Sequence, residues 1–449
     1  MVNRLNTVLI GQSWPARWCL LCAGLLLVVR VQAAGAEPYG EYFVRVGASW
    51  PDAGAALPRR ESAPVTAQDG AGYHRQVLEL EHQGGPYANT LAEPLAGLGR
   101  LHWQNGDIAE AQRLYQRALH VVRVNDGLYS ERQLPILQAL FESYRQSGDL
   151  RALDQRYDYY FRLYGNGEPP YTPVRLGATI EYLRWQREAL RLNADADDKA
   201  RLLATYKLNE QVLEGLNRLE SVDLPAYREL VMSQLRNLYL IQGRYAPRTE
   251  SRATVANPSF ATSWGDEDFD LKKLELLQRK ALPTGRALLQ QLIARTPPDA
   301  AVELARTYLE QADWNQWNGR TDEALDDYGQ VVKLLRDAGQ EQLLRQWLGR
   351  PVELPDNGAF WQPSPEASGK QTLAVAARYD VSAEGRVVDI HETSVTPPRA
   401  GVDEEQAERN ERLAYKLRRH LKQTRFRPRF ANGKAEAATR VERVYQLIH

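Results

Sequence analysis

The sequence predicts a mainly α-helical chain: a solenoid of α-helical hairpins followed by a small α+β domain of order β-β-α-β. Three observations predict it. Apolar residues recur at helical spacing from Tyr73 to Leu348, broken by glycine-containing turns. One helix–turn–helix spacing appears near both ends of that region. At Thr372 the period then switches from helical to strict alternation.

The clearest hairpin runs from Leu95 to Leu119. Leu95, Leu98 and His102 share one face of its first helix. Ala111, Leu114, Tyr115, Ala118 and Leu119 share one face of the second, and Asn105-Gly106-Asp107 breaks the pattern between them. A second copy (Leu140, Tyr144, Gly148, Leu153, Tyr157 and Tyr160) follows at an offset of 42 residues. Gly319, Ala324 and Tyr328 repeat the spacing of Gly106, Ala111 and Tyr115. The set Leu98, Gly99, His102, Gly106, Ala111, Tyr115 and Ala118 resembles the tetratricopeptide (TPR) motif. His102 stands where a Tyr is usual, and Arg123 occupies the place of the closing proline. The resemblance implies stacked hairpins that share one core and present a concave, peptide-sized groove.

Taken in order, residues 1–36 read as a secretory signal peptide. Arg4 and Arg17 are positive, Trp18 to Val29 is apolar, and Ala34-Gly35-Ala36 fits a cleavage site. Both cysteines, Cys19 and Cys22, lie in this segment, so its removal leaves no disulfide or thiolate chemistry. The remainder has a formal net charge of −3, with no bulk attraction to nucleic acid. Residues 37–72 are an irregular lead-in, with Tyr42 to Val46 able to dock as a short strand. The TPR-like helical domain spans 73–348. Within it, Val174 to Leu192 and Asp197 to Leu219 form a third helix pair, and Gly243 sits like a turn glycine. Thr249 to Asp266 is a polar loop, and Leu271 to Leu282 and Gly285 to Arg295 are two helices. Ala301 to Trp317 is a further helix, and Thr321 is the expected N-cap of the next. Residues 349–371, with Pro351, Pro355, Pro363 and Pro365, read as a linker.

The last domain spans 372–449. Leu373, Val375, Ala377, Tyr379 and Val381 alternate as a half-buried strand, and Val387 to Val395 returns as its hairpin partner. Asp403 to Thr424 is an amphipathic helix, and Ala435 to Ile448 is the final strand after an Asn432-Gly433 turn. The Ala-Glu-Gly turn, Arg425-Phe426-Arg427-Pro428, Asn432-Gly433-Lys434 and Tyr445, in that order, resemble the C-terminal domain of TonB and its periplasmic relatives. The resemblance implies protein binding, often by strand addition at a sheet edge, here along Thr439 to Ile448. TonB's membrane anchor and long proline-rich spacer have no counterpart here.

This domain carries 15 basic and 11 acidic residues. Arg418, Arg419, Lys422, Arg425, Arg427 and Arg429 form a run without an acid. With Thr439, Val441, Arg443 and Tyr445 on the final strand, they are the candidate partner-binding residues. No Gly-x-Ser-x-Gly elbow, phosphate loop or His-Glu-x-x-His motif is present, and no cofactor or metal site is expected. Glu61-Ser62 and Glu142-Ser143 resemble the Glu-Ser start of lytic transglycosylases, but the downstream Gly-Leu-Met-Gln run of that family is missing. The expected function is that of a non-enzymatic periplasmic adaptor or scaffold. It would bind envelope proteins, without nucleic acid and without a stable membrane span. A TonB-related energy-transduction component or a peptidoglycan hydrolase are the alternatives.

Overall fold

Gly106, Gly148 and Gly319 have φ of 83°, 71° and 75°. This is the left-handed backbone that ends a helix most easily without a Cβ. Each sits between two helices of the recurring hairpin, as its spacing predicts. Close approach within the first hairpin is equally literal: a Cβ on Gly99 would stand 2.8 Å from the Tyr115 ring. The computed structural model describes residues 43–44, 67–192, 194, 198–244, 266–360, 372–396 and 404–448. The signal segment, most of the lead-in and most of the polar loop lie outside them.

The helices run α1 (Ala67–Gly84), α2 (Ala92–Gln104), α3 (Ile108–Asp126), α4 (Leu134–Ser147), α5 (Leu150–Leu163), α6 (Pro173–Leu192) and α7 (Asp198–Asn217). They continue as α8 (Leu224–Arg244), α9 (Asp266–Arg295), α10 (Ala301–Trp317), α11 (Thr321–Asp337) and α12 (Glu341–Leu348). Each packs on the next; one buried cluster spans α1 to α6 and another spans α6 to α9. The chain is thus mainly helical, with a small sheet region near its C-terminus.

Capping sets the helix starts. Asp107 and Asp149 precede α3 and α5, and their carboxylates accept from the amides of Glu110 and Ala152 (3.4 and 3.0 Å). His102 Nδ1 lies 3.1 Å from the Asp107 carboxylate, tying the end of α2 to the start of α3. Asp149→Ala is expected to cost about 1 kcal/mol, read as a lower urea midpoint at unchanged slope.

Several expectations are corrected. Thr321 is the first residue of α11 rather than its cap; Arg320 precedes it, with no side-chain cap bond. The two helices expected at 271–295 are one helix, α9, which continues through Pro283. Its Gly285 lies where a Cβ would come 2.5 Å from the buried Trp314 indole, whose Nε1 donates to Leu282 O (3.2 Å). Gly243 is not a turn glycine. It lies inside α8, and the space of its missing side chain is filled by the Phe360 ring.

The C-terminal region contains β3 (Thr372–Val381), β4 (Val387–Thr396), α13 (Glu404–Gln423) and β8 (Ala438–Ile448), matching the predicted β-β-α-β order. Val375, Ala377, Tyr379 and Val381 are buried with Leu417, Leu421, Phe426 and Tyr445. The sheet order is β1-β8-β3-β4, where β1 is Phe43–Val44, paired with Leu447 and Gln446. The expected final strand is split. A small hairpin of β6 (Arg429–Ala431) and β7 (Lys434–Glu436) turns at Asn432 and Gly433, which have φ of 54° and 84°. Only then does β8 begin.

Residues 349–360 fall within the expected linker, yet Pro351 to Pro355 and Asn357 to Ala359 are buried. Among them β2 (Val352–Glu353) pairs antiparallel with β5 (Phe426–Arg427). Phe430 of the terminal domain packs into the core of α10, α11 and α12, its ring 5.7 Å from that of Tyr328. Residues 37–449 accordingly form one compact unit.

Candidate functional site

Alternate helices build one polar face. On α6, Glu181, Arg184, Glu188 and Arg191 recur at spacings of three and four, so they share a side of the helix. Arg184, Arg187 and Arg191 are all buried. Buried cations need partners, and these come from α6 itself, from α8 and from Gly358 of the chain's own segment. Arg145 on α4 holds both Glu188 carboxylate oxygens at 2.8 Å and also reaches Tyr157 OH (2.8 Å). Arg184 pairs with Glu181 (3.0 Å) and, across to α8, Glu229 (3.4 Å). Arg187 donates to Ser233 Oγ on α8 (2.7 Å). Arg228 donates to Thr307 Oγ1 on α10 (2.9 Å). The face is thus a ladder running α4–α6–α8–α10. Burial pushes the Glu181 carboxyl up, against the pull of Arg184 and Arg145.

At the α8–α10 end, the ladder meets the chain's own segment. Arg236 Nε donates to Asn357 O (2.8 Å) and Arg191 Nη1 to Gly358 O (2.7 Å). Ala359 is fully buried in the core formed by α8, α9 and α10. Phe360 lies against Trp317, ring centres 5.9 Å apart.

Beside this segment is a buried junction. Asp313 on α10 accepts Arg427 Nε (2.9 Å) and Nη2 (2.5 Å), and also Tyr328 OH (2.7 Å). Arg427 donates further to Trp347 O (3.2 Å) and lies 3.4 Å from Asp356. Although burial works against its charge, Asp313 holds the Arg427 guanidinium charged well above its ordinary range. Gln316 Nε2 donates to Glu384 O (2.6 Å) and Phe426 O (3.0 Å). One turn before Asp313, the half-buried Glu310 is pushed up to about 7 by desolvation, reinforced by Asp313 and Asp356 and opposed by Arg236 and Arg427.

The predicted site residues therefore scatter. Arg427 is not a surface cation; it is the buried centre of the junction. Tyr445 is buried, its hydroxyl 2.8 Å from that of Tyr379 and donating to Glu353 (3.2 Å). Arg443 donates to Pro351 O (2.6 Å). Arg429 pairs with Glu436 (2.8 Å), and Val441 packs against the sheet core. Arg418 and Arg425 are half-buried, and Arg419, Lys422 and Thr439 are exposed. The structure does not gather these ten into one surface. The edge of β8 expected to take a partner strand is already paired at its end with β1.

Glu142-Ser143 gives no catalytic arrangement: Ser143 is buried and donates to Leu140 O (2.8 Å), and Glu142 pairs with Arg145. Among the described residues, no group of three or more His, Cys, Asp or Glu side chains could hold a metal, and no helix is long and apolar enough to cross a membrane. Apolar periodicity alone does not reveal the polar face on α6 and α8. Its signal was present in Arg184, Arg187 and Arg191, which fall on helix positions that also carry core residues. No protein-family model matches the chain, and no curated protein matches it.

Proposed function

We propose that the protein is a non-enzymatic scaffold of the bacterial envelope, exported to the periplasm, that binds protein partners on a TPR-like solenoid face. The terminal α/β domain, TonB-like in its motif order, serves as a docked part of the same body. The observation that carries this reading is the buried Arg427–Asp313–Tyr328 junction. It supports one fixed binding body rather than two modules joined by a loose tether. The polar ladder of α4, α6, α8 and α10 ties those helices into the same body.

Glu310 favours a second reading, that of a hydrolase. A carboxyl pushed up to about 7 keeps a substantial protonated fraction near neutrality, as a general acid requires. The scaffold reading assigns that shift to the junction alone. One experiment separates the two. The purified chain is crosslinked in envelopes and, in parallel, incubated with peptidoglycan sacculi. The scaffold reading expects a saturable set of crosslinked proteins and no released muropeptides. Muropeptide release that Glu310→Gln abolishes would establish the hydrolase, and the absence of any crosslinked protein would also overturn the scaffold.

A further inference from the structure

The segment Asp356-Asn357-Gly358-Ala359-Phe360 is held in a manner that does not depend on its being joined to the chain. Arg236 and Arg191 read two successive main-chain carbonyls, at 2.8 and 2.7 Å. Contacts of that kind recognise a main chain whatever its side chains. Selectivity comes from the two ends. Asp356 is presented to Arg427 at 3.4 Å. Phe360 fills the notch left by Gly243 and lies beside Trp317. Gly358 turns the backbone between them with φ 82°. The neighbouring residues Pro351 to Leu354 are held differently, by the terminal domain: β2 pairs with β5, Arg443 takes Pro351 O, and Leu354 N donates to Arg425 O (3.0 Å). The segment thus has a half anchored by strand pairing and a half seated on the helical face, tied to the terminal domain at Asp356 through Arg427.

We infer that the α6–α8–α10 face is a peptide site whose resident occupant is the chain's own Asp356–Phe360, and that its outside partner is a peptide turned at a glycine, with a carboxylate four residues before an aromatic side chain. This rests on the scaffold reading and specifies the partner's chemistry. A tethered occupant acts at an effective concentration in the millimolar range, so it excludes weak peptides and yields to a partner that binds this face more tightly or at several points.

The test uses the full chain and a fluorescent peptide with the sequence Glu353 to Phe360. In the parent, the resident segment excludes the peptide. Phe360→Ala weakens the resident but leaves the notch open, so the peptide is expected to bind at least about tenfold more tightly than to the parent. Adding Arg236→Ala should remove at least about tenfold of that affinity, because a charged donor to the main chain is lost. A Phe360→Ala protein with a native circular-dichroism spectrum that binds no better than the parent overturns the inference. Hydrogen exchange on the parent supplies a second reading that needs no variant. Amides of residues 357–360 should exchange faster than those of β2 and β5; exchange of both only on global unfolding would overturn the inference. Lost peptide binding with envelope crosslinks intact defeats this inference alone, whereas lost crosslinks with peptide binding intact defeats the scaffold reading alone.

Discussion

Asp313→Ala is expected to destabilise the chain by about 3–5 kcal/mol. The carboxylate accepts two bonds from Arg427 and one from Tyr328, and all three side chains are buried. Removing it leaves a guanidinium with nowhere to be solvated. Asp356, at 3.4 Å and partly exposed, is a poor substitute. Surface charge changes typically alter stability by less than about 1 kcal/mol, so the contrast is large. The loss should show in urea unfolding and change little with added salt, because the pair lies out of reach of screening ions. The double variant Asp313→Leu with Arg427→Met removes both charges and should regain most of the loss. If Asp313→Ala unfolds at the parent's midpoint, or the double variant is worse than either single one, the junction does not hold the domains as described.

The second large effect is a pH dependence carried by Glu310. Its folded-state pKa is pushed up to about 7 from an ordinary 4.5, with desolvation the first cause and Asp313 the second. A carboxyl raised on folding binds more protons in the native state between these two values. Its contribution to stability is therefore full below about pH 4.5 and is lost as pH rises through about 7. The shift corresponds to at most about 3 kcal/mol, and to about 1–2 kcal/mol once solvent reaching this half-buried group is counted. Glu310→Gln should match the parent at pH 4 and exceed it at pH 8. Paired urea titrations at the two pH values read the difference directly, since the other carboxylates are common to both proteins. Equal midpoints at pH 8 would show that Glu310 is not strained by ionisation.

Local chemistry was legible in the sequence. Ala301–Trp317 was read to the residue, because its apolar spacing, its prolines before and its glycine after all act within one or two turns. The alternation of Val375, Ala377, Tyr379 and Val381 read correctly for the same reason. What failed depended on distant partners. Gly243 looks like a turn glycine in sequence because nothing nearby reveals that Phe360, far along the chain, needs its space. Arg427 was read with its basic neighbours as a surface run, yet strand pairing of β5 with β2 sends Phe426 into the sheet core and Arg427 toward Asp313. Alternation in Phe426-Arg427 hinted at opposite destinations, but the acid that decides the matter lies on α10. Likewise, the spacing of the ladder arginines on α6 stands in the sequence, but their acceptors on α8 do not.

The sheet order β1-β8-β3-β4 places Val44 beside Gln446. Joining those strands closes a loop of roughly 400 residues, at an entropic cost of about 5 kcal/mol if the chain between is unstructured. Two residue pairs in β1 do not offset such a cost. The helical hairpins, whose contacts are local, must therefore form first and shorten the path. A chain emerging N-terminus first can assemble most of its helices on the way out, but its first strand waits for its last. The β1–β8 pairing is the last to close, and until then β8 presents an open edge of the kind that pairs wrongly between molecules.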